Sequence, residues 1–414
     1  MTLYRCTHRP LIFSSCRHRW WHNDPDCILL GESTKLTDDE VVSAASVVAM
    51  TGGMFLLSDD MEKVSEARLS IAQRIFPLIS VTAVPLDLHS TVNSGMPSIL
   101  RLWCTEKSAE ENSTENTMPE SSTLCHTESG ESPRKILREQ ASKIECEFIY
   151  SPGNMDVDPY SRERSCIRVA SGLGSWTVVS LSNWLEHTAK LRVSFSALVS
   201  HSIDDFVATG APRSLRSLTA DSSSPREILE HGFHVFSFWS SEYVWIPHRV
   251  RLIACHLHMR SLCIRVVCIN VVLFYFVVLL SSNLAQTLED NDPLIKKLKP
   301  HATEIFHIKP AEPSRAQYIG SDLHFSCGFE VDSFDWSDRH VKICLKNDYK
   351  KQGSIFLYIP ESDGLNSAAV TVSGKPGRVE IVARPVMGEN CGGRVLRVNV
   401  GTGENDDGVV SILW

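Results

Sequence analysis

The chain has 414 residues, enough for two or three domains. Hydrophobic residues make up 43% and charged residues 22%, which excludes a wholly disordered, collagen-like or coiled-coil chain. Lys+Arg 41 against Asp+Glu 49 leaves a net charge of −8, the wrong sign for a nucleic-acid binder driven by charge. Thirteen Cys without a CxxC spacing argue against a disulfide-built fold, a zinc ribbon and a thioredoxin-like motif. The redox compartment stays open. At the start, Arg5, His8 and Arg9 precede only Leu11 to Phe13 as an apolar patch. A secretory core needs about 7–15 apolar residues, so no signal peptide is expected, and Met1 looks like an arbitrary point in a longer chain.

Residues 14–80 read as α/β. Thr37 is placed to cap the N–H of Glu40, and Glu40 to reach back to the N–H of Thr37. Leu36 and Val41 have the spacing of a hydrophobic staple, and Asp38 and Asp39 suit the positive end of the helix dipole. The helix then runs through Val41, Val42, Ala44, Ala45, Val47, Val48 and Met50 to a stop at Gly52-Gly53. Met54 to Leu57 reads as a short buried strand. A second helix carries Val64, Ala67, Ile71, Ala72 and Ile75 on one face and ends before Pro77. Helix, strand, helix with tight connections is the grammar of a parallel sheet.

Residues 81–250 change character. Short apolar runs at 79–84, 99–103, 144–150, 176–181, 191–198 and 234–239 alternate with turn signals and predict an antiparallel β-sandwich region. Within it, 104–135 holds seven Glu against Lys107, Arg134 and Lys135 and reads as a disordered acidic insert. Asn112-Ser113-Thr114 is a glycosylation sequon, usable only on an exported chain. Asp221 to Pro225 reads as a second, Ser-rich loop. Residues 251–286 form an apolar insertion. Its core, Val266 to Leu280, falls short of the roughly 20 residues that span a bilayer. It reads as a marginal membrane helix, as buried strand, or as translated non-coding sequence. The last is favoured because the run interrupts two β-like stretches. Residues 287–414 give a C-terminal β-domain, with strands expected at 323–327, 341–345, 355–359, 368–372, 379–383 and 394–400.

The sharpest chemical feature is Arg19-Trp20-Trp21-His22-Asn23-Asp24-Pro25-Asp26-Cys27. Carboxylates beside indoles suit a sugar: acids bind hydroxyls, and indole faces stack on the ring. As a catalytic pair Asp24 and Asp26 fail on direction. Along a strand they stand about 6.6 Å apart on one side, whereas a glycosidase pair must flank the bond it cleaves. The bland reading is a turn that Asp24 caps ahead of Pro25. Elsewhere, Cys255-His256-Leu257-His258 lacks matched ligands for zinc. Gly172-Leu173-Gly174 reads as a turn without a phosphate-loop lysine. Trp239, Tyr243 and Trp245 read as sandwich core, with a carbohydrate platform as the minority reading.

Trp21 to Cys27 resembles the W-x-N-D-P-D-C segment of family-36 glycoside hydrolases, the α-galactosidase group. Leu36 to Glu40, Thr51 to Met54 and Leu57 to Asp60 continue the likeness in order. Asn183-Trp184, His234 to Tyr243, Lys299 to Glu304 and Tyr318 to His324 are similar to the group's C-terminal β-domain. The resemblance implies the last strands and helices of a (β/α)8 TIM barrel followed by an antiparallel β-sandwich region. It implies retaining hydrolysis of terminal α-galactosides, with no metal and no organic cofactor. By the same resemblance Asp26 and Cys27 line the sugar pocket and Asp26 holds hydroxyls. Trp21 and Asn23 are wall and scaffold, and Asp24 belongs to the same substrate-binding segment. Asp59 and Asp60 match the end of the last barrel strand, where a helix cap is weighed against a ligand contact.

The family's nucleophile and acid/base both precede this segment. Here the first Asp of the chain is Asp24, and no Lys-x-Asp precedes Trp21. The expectation is therefore an α-galactosidase-like fragment that does not hydrolyse by itself. Its expected partner is a carbohydrate, with no nucleic acid. The rivals are a non-catalytic carbohydrate-binding or structural β-sandwich protein, and a single-pass membrane protein anchored near 263–281. Localisation stays open, since family members include secreted ones.

Overall fold

The computed structural model describes residues 27–31, 34–52, 54–79, 81–87, 96–106, 166–194, 231–246, 293–337, 339–346, 352–360, 369–385, 392–401 and 408–414. The acidic insert apart from 104–106, the sequon, the loop at 221–225, the strand expected at 144–150, Cys255 to His258 and the whole apolar insertion lie outside the described residues. Among the described residues no helix is long and apolar enough to cross a membrane.

Among the described residues the chain is mostly β, with two helices and several antiparallel sheets. It opens on a parallel unit: β1 (Cys27–Ile28), α1 (Asp38–Thr51), β2 (Leu56–Leu57), α2 (Glu66–Ile75). The capping box forms as the sequence dictates. Glu40 N–H donates to Thr37 Oγ1 at 3.3 Å, and Thr37 N–H donates to Glu40 Oε2 at 2.8 Å. Gly52 closes α1 at φ 58°, the left-handed conformation that glycine adopts without strain. Of the face read on the second helix, Val64, Ala72 and Ile75 are buried and Ile71 packs against the core, while Ala67 is exposed and Leu69 takes its place. The strand at 54–57 is not buried: Met54 and Leu56 are 37% and 48% exposed. β1 and β2 pair with each other, and no barrel closes among the described residues.

Seven strands make the main sheet: β3 (Val84–Pro85), β4 (Ile99–Glu106), β5 (Cys166–Val169), β6 (Trp176–Ser182), β8 (Phe233–Ser237), β9 (Glu242–Ile246) and β11 (Thr303–Pro310), in the order β3-β4-β6-β11-β8-β9 with β5 paired to β4. β7 (Ala189–Ser194) and β10 (Pro293–Leu298) form an antiparallel pair. Their Val193, Leu294 and Leu298 share a core with Val179, Phe306 and Ile308 of the main sheet. β11 pairs with both β6 and β8, so one sheet runs across the segment that the sequence reading set between two β regions.

The C-terminal strands form two further sheets. One is β12 (Gln317–Ser321), β15 (Gly353–Pro360), β19 (Gly393–Val400) and β18 (Val379–Ala383). The other is β13 (Val331–Ser337), β14 (His340–Leu345), β20 (Val409–Leu413), β16 (Ala369–Val372) and β17 (Lys375–Pro376). Residues 323–327, expected as a strand, are turn. Ser321 Oγ accepts Leu323 N–H, and His324 Nδ1 accepts Ser326 N–H. Such local side-chain bonds compete with a ladder and win here.

β7 and β10 cover one face of the main sheet, through Phe306 and Ile308, and α1, α2 and β12 meet the other. α1 docks through Ser43, whose hydroxyl lies 2.6 Å from His301 O and 2.7 Å from Thr303 Oγ1. α2 docks through Arg74, which donates to the carbonyls of Asp322 (2.9 Å) and Phe238 and lies 4.3 Å over the Phe238 ring. β12 lies close against Phe236: a Cβ on Gly320 would stand 2.6 Å from that ring. The Phe236 and Phe356 rings are 4.7 Å apart.

Candidate functional site

Two clusters of polar chemistry stand out. The first is the carboxyl end of β1 and β2, the end at which parallel α/β sheets place their ligands. The parallel register pairs Cys27 with Leu56 and Ile28 with Leu57, so both following loops leave from one side. Ser58, the first residue past β2, donates its hydroxyl to Cys27 Sγ at 3.1 Å. Asp59 Oδ2 accepts the N–H of Leu30 at 2.5 Å and ties the loop after β2 to the loop after β1. Asp60 accepts Glu62 N–H at 3.2 Å and pairs with Lys63 at 2.8 Å. The hydrogen bond from Asp60 raises the Lys63 pKa, though this pair is largely in water and contributes little to stability. The N-cap of α2 is Ser65, so neither Asp59 nor Asp60 caps that helix.

Arg68 of α2 fixes the loop after β1 from beneath. It donates to the carbonyls of Gly31 (3.1 Å) and Leu36 (3.0 Å) and lies 2.9 Å from Asp38. Of the residues singled out in the sequence, Cys27 is placed, half-buried at the start of this corner. Trp21, Asn23, Asp24 and Asp26 lie outside the described residues. Among the described residues no three His, Cys, Asp or Glu side chains gather to hold a metal ion.

The second cluster is buried in the seam between the main sheet and β12–β15. His307 Nε2 donates to Phe325 O at 2.6 Å, and its Nδ1 lies 3.3 Å from Cys327 Sγ. Thiol and imidazole in contact suggest a nucleophile, but the electrostatics are inverted. Burial pushes the Cys327 thiol well up and the His307 imidazole down to about 4. An activated pair needs thiolate and imidazolium; burial here favours the neutral form of both members. Lys309 of β11, opposite His234 of β8, donates to Leu173 O and, at 2.8 Å, to Tyr318 O, and lies 4.6 Å over Trp176. Burial lowers its pKa to about 7. Glu330 Oε1 accepts the hydroxyls of Tyr318 (2.8 Å) and Ser321; among the described residues its Oε2 has no hydrogen-bond partner, and burial raises its pKa. The sequence reading passed over this seam. The available signal was the polar alternation His307, Lys309 within an apolar strand, which puts both on one face.

The aromatic cluster is scaffold. Trp239 Nε1 donates to Ser46 Oγ (2.8 Å), Tyr243 Oη lies 2.8 Å from His234 Nδ1, and Trp245 Nε1 donates to His231 O (3.1 Å). Asn183 donates to the carbonyls of His187, Leu298 and Lys299 and pins the turn before β11.

No family model matches the sequence, and no curated protein matches it. Among solved structures, the chain is similar to α-galactosidase from Saccharomyces cerevisiae with raffinose, at TM-score 0.29 and 11% identity. That overlay covers 75% of this chain and 51% of the yeast one. A second structure of the yeast α-galactosidase gives TM-score 0.29, 10% identity and the same coverage. An isomalto-dextranase of Arthrobacter globiformis complexed with panose follows at TM-score 0.13 and 10% identity, over 58% of this chain and 34% of that one. The chain thus spans about half the length of the yeast α-galactosidase.

Proposed function

We propose that the chain is a sugar-binding portion of an α-galactosidase-like glycoside hydrolase of the family-36 type, with β1 to α2 as the last part of its (β/α)8 barrel and the β-rich remainder as its C-terminal region. Asp26 holds galactose hydroxyls, Cys27 lines the pocket beside them, and Trp21, Asn23 and Asp24 complete its wall. One observation supports this most: Cys27, the last residue of one family-like segment, accepts a hydrogen bond from Ser58 of another, between β1 and the loop that follows its parallel partner β2. The residues assigned here are binding residues and none is assigned as nucleophile or acid/base, so the activity proposed for them is binding of an α-galactoside. Calorimetric titration of the full chain with galactose, alongside an aryl α-galactoside hydrolysis assay, tests both parts. Saturable binding that disappears in Asp26→Asn, with no turnover, is the expected result. Absence of saturable binding in the unsubstituted chain overturns the reading.

A further inference from the structure

We propose that the seam between the main sheet and β12–β15 is an acid-opened latch, with His234 and His307 as the side chains whose protonation releases it. The inference stands apart from sugar binding. Both imidazoles are fixed as neutral tautomers by their partners. Gln317 donates its amide to Pro310 O at 3.0 Å, so its Oε1, 3.1 Å from His234 Nε2, is an acceptor. His234 Nε2 therefore carries the proton, and Nδ1 accepts the hydroxyl of Tyr243 at 2.8 Å. Phe325 O fixes His307 the same way: Nε2 donates, and Nδ1 faces the Cys327 thiol. A second proton on either ring meets no carboxylate. Facing His234 are Tyr243 of β9, Tyr358 of β15, Gln317 of β12 and the cation of Lys309 on β11. Facing His307 are Phe236 and Phe238 from the β8 side and Phe325 and Cys327 from the turn. Beyond Cys327 lie Arg74 and the Glu330 carboxyl, which burial favours in its acid form. His324, on the same turn, is held by Ser326 Oγ (2.8 Å) and Pro77 O (3.0 Å). Burial depresses the two imidazoles to about 3 and about 4.

The contacts decide what opens. His234 and His307 join β8 and β11 to residues 317–327, the stretch through which the C-terminal sheets attach to the main sheet. β6 holds the same turn by a group that does not titrate, Trp176 Nε1 donating to Ser326 O at 3.2 Å. Below the ordinary histidine value each ring favours an opened form by up to about tenfold per pH unit, and the two together by up to about a hundredfold. Hydrogen exchange of the full chain from pH 7 to pH 4.5 tests this. The expected result is loss of protection in 317–331 while 99–106 and 176–182 stay protected. In His234→Gln combined with His307→Gln the midpoint moves to lower pH by more than one unit. Simultaneous loss of protection in both regions, or an unmoved midpoint, overturns the proposal. Should the double variant fail to fold, ring-proton titration of the unsubstituted chain decides: rings that charge only as 317–331 opens support the latch, and rings that titrate near 6.5 with 317–331 protected contradict it.

Discussion

At the β1–β2 corner the polar side chains stay within reach of water: the Asp60 and Lys63 side chains are 52% and 82% exposed, and Cys27 is half-buried. In the seam, His234, His307, Lys309 and Glu330 are all buried, and nearly every polar atom is matched to a fixed partner. The contrast separates two uses of the same residue types. An exposed corner can exchange its protein partners for a ligand at small cost. A buried seam cannot, because removing one partner leaves the other unsatisfied in a low dielectric. The corner is therefore the place to look for recognition, and the seam the place to look for stability and its loss.

Perturbing the joint around the seam gives the largest expected effect. Arg74→Ala removes the donors to Asp322 O and Phe238 O and the stacking on Phe238. It is expected to lower the unfolding free energy by about 3–4 kcal/mol in urea titrations, the sum expected for buried charge-assisted bonds and a cation–π contact. Next comes Glu330→Gln. Burial raises the Glu330 carboxyl above its ordinary 4.5, so its contribution is full below 4.5 and is lost as pH rises through the folded value. The variant is expected to be more stable than the unsubstituted chain at alkaline pH, by about 1–3 kcal/mol, and to differ little at pH 5. Denaturant melts at the two pH values check the sign.

At the corner the effects shrink. Thr37→Ala breaks the capping box and is expected to cost about 1 kcal/mol, read as a small drop in the melting midpoint. Leu56→Ser, on a half-exposed strand, is expected to change stability by less than about 0.5 kcal/mol. A loss well beyond that would mean that β2 is covered in solution, and the comparison between corner and seam would need redrawing.

What the sequence disclosed follows from range. The capping box at Thr37 and Glu40 and the glycine stop at Gly52 need only a few neighbouring residues, and both formed as read. The strands at 99–103, 176–181 and 341–345 were legible from apolar runs bounded by turns. Burial at Met54 and Leu56 was misread because an apolar run does not say whether a neighbouring strand covers it. Residues 323–327 were misread because Ser321, His324 and Ser326 fold their own backbone. In the seam only the alternation of His307 and Lys309 was legible, and their partners were not: Phe325 is 18 residues from His307, and Leu173 is 136 from Lys309. The corner was half legible. The segment ending at Cys27 stood out by its resemblance, but the contact with Ser58, 31 residues on, required the parallel register.

Cys27 offers the most direct test of the sugar-site reading, with Cys344, also half-buried but on the C-terminal sheet, as an internal control. The rate of iodoacetamide labelling at each thiol, mapped by peptide mass with and without galactose, reports occupancy of the corner itself. Slower labelling of Cys27 in galactose, with Cys344 unchanged, is the predicted result. Equal labelling of Cys27 with and without the sugar would contradict the account.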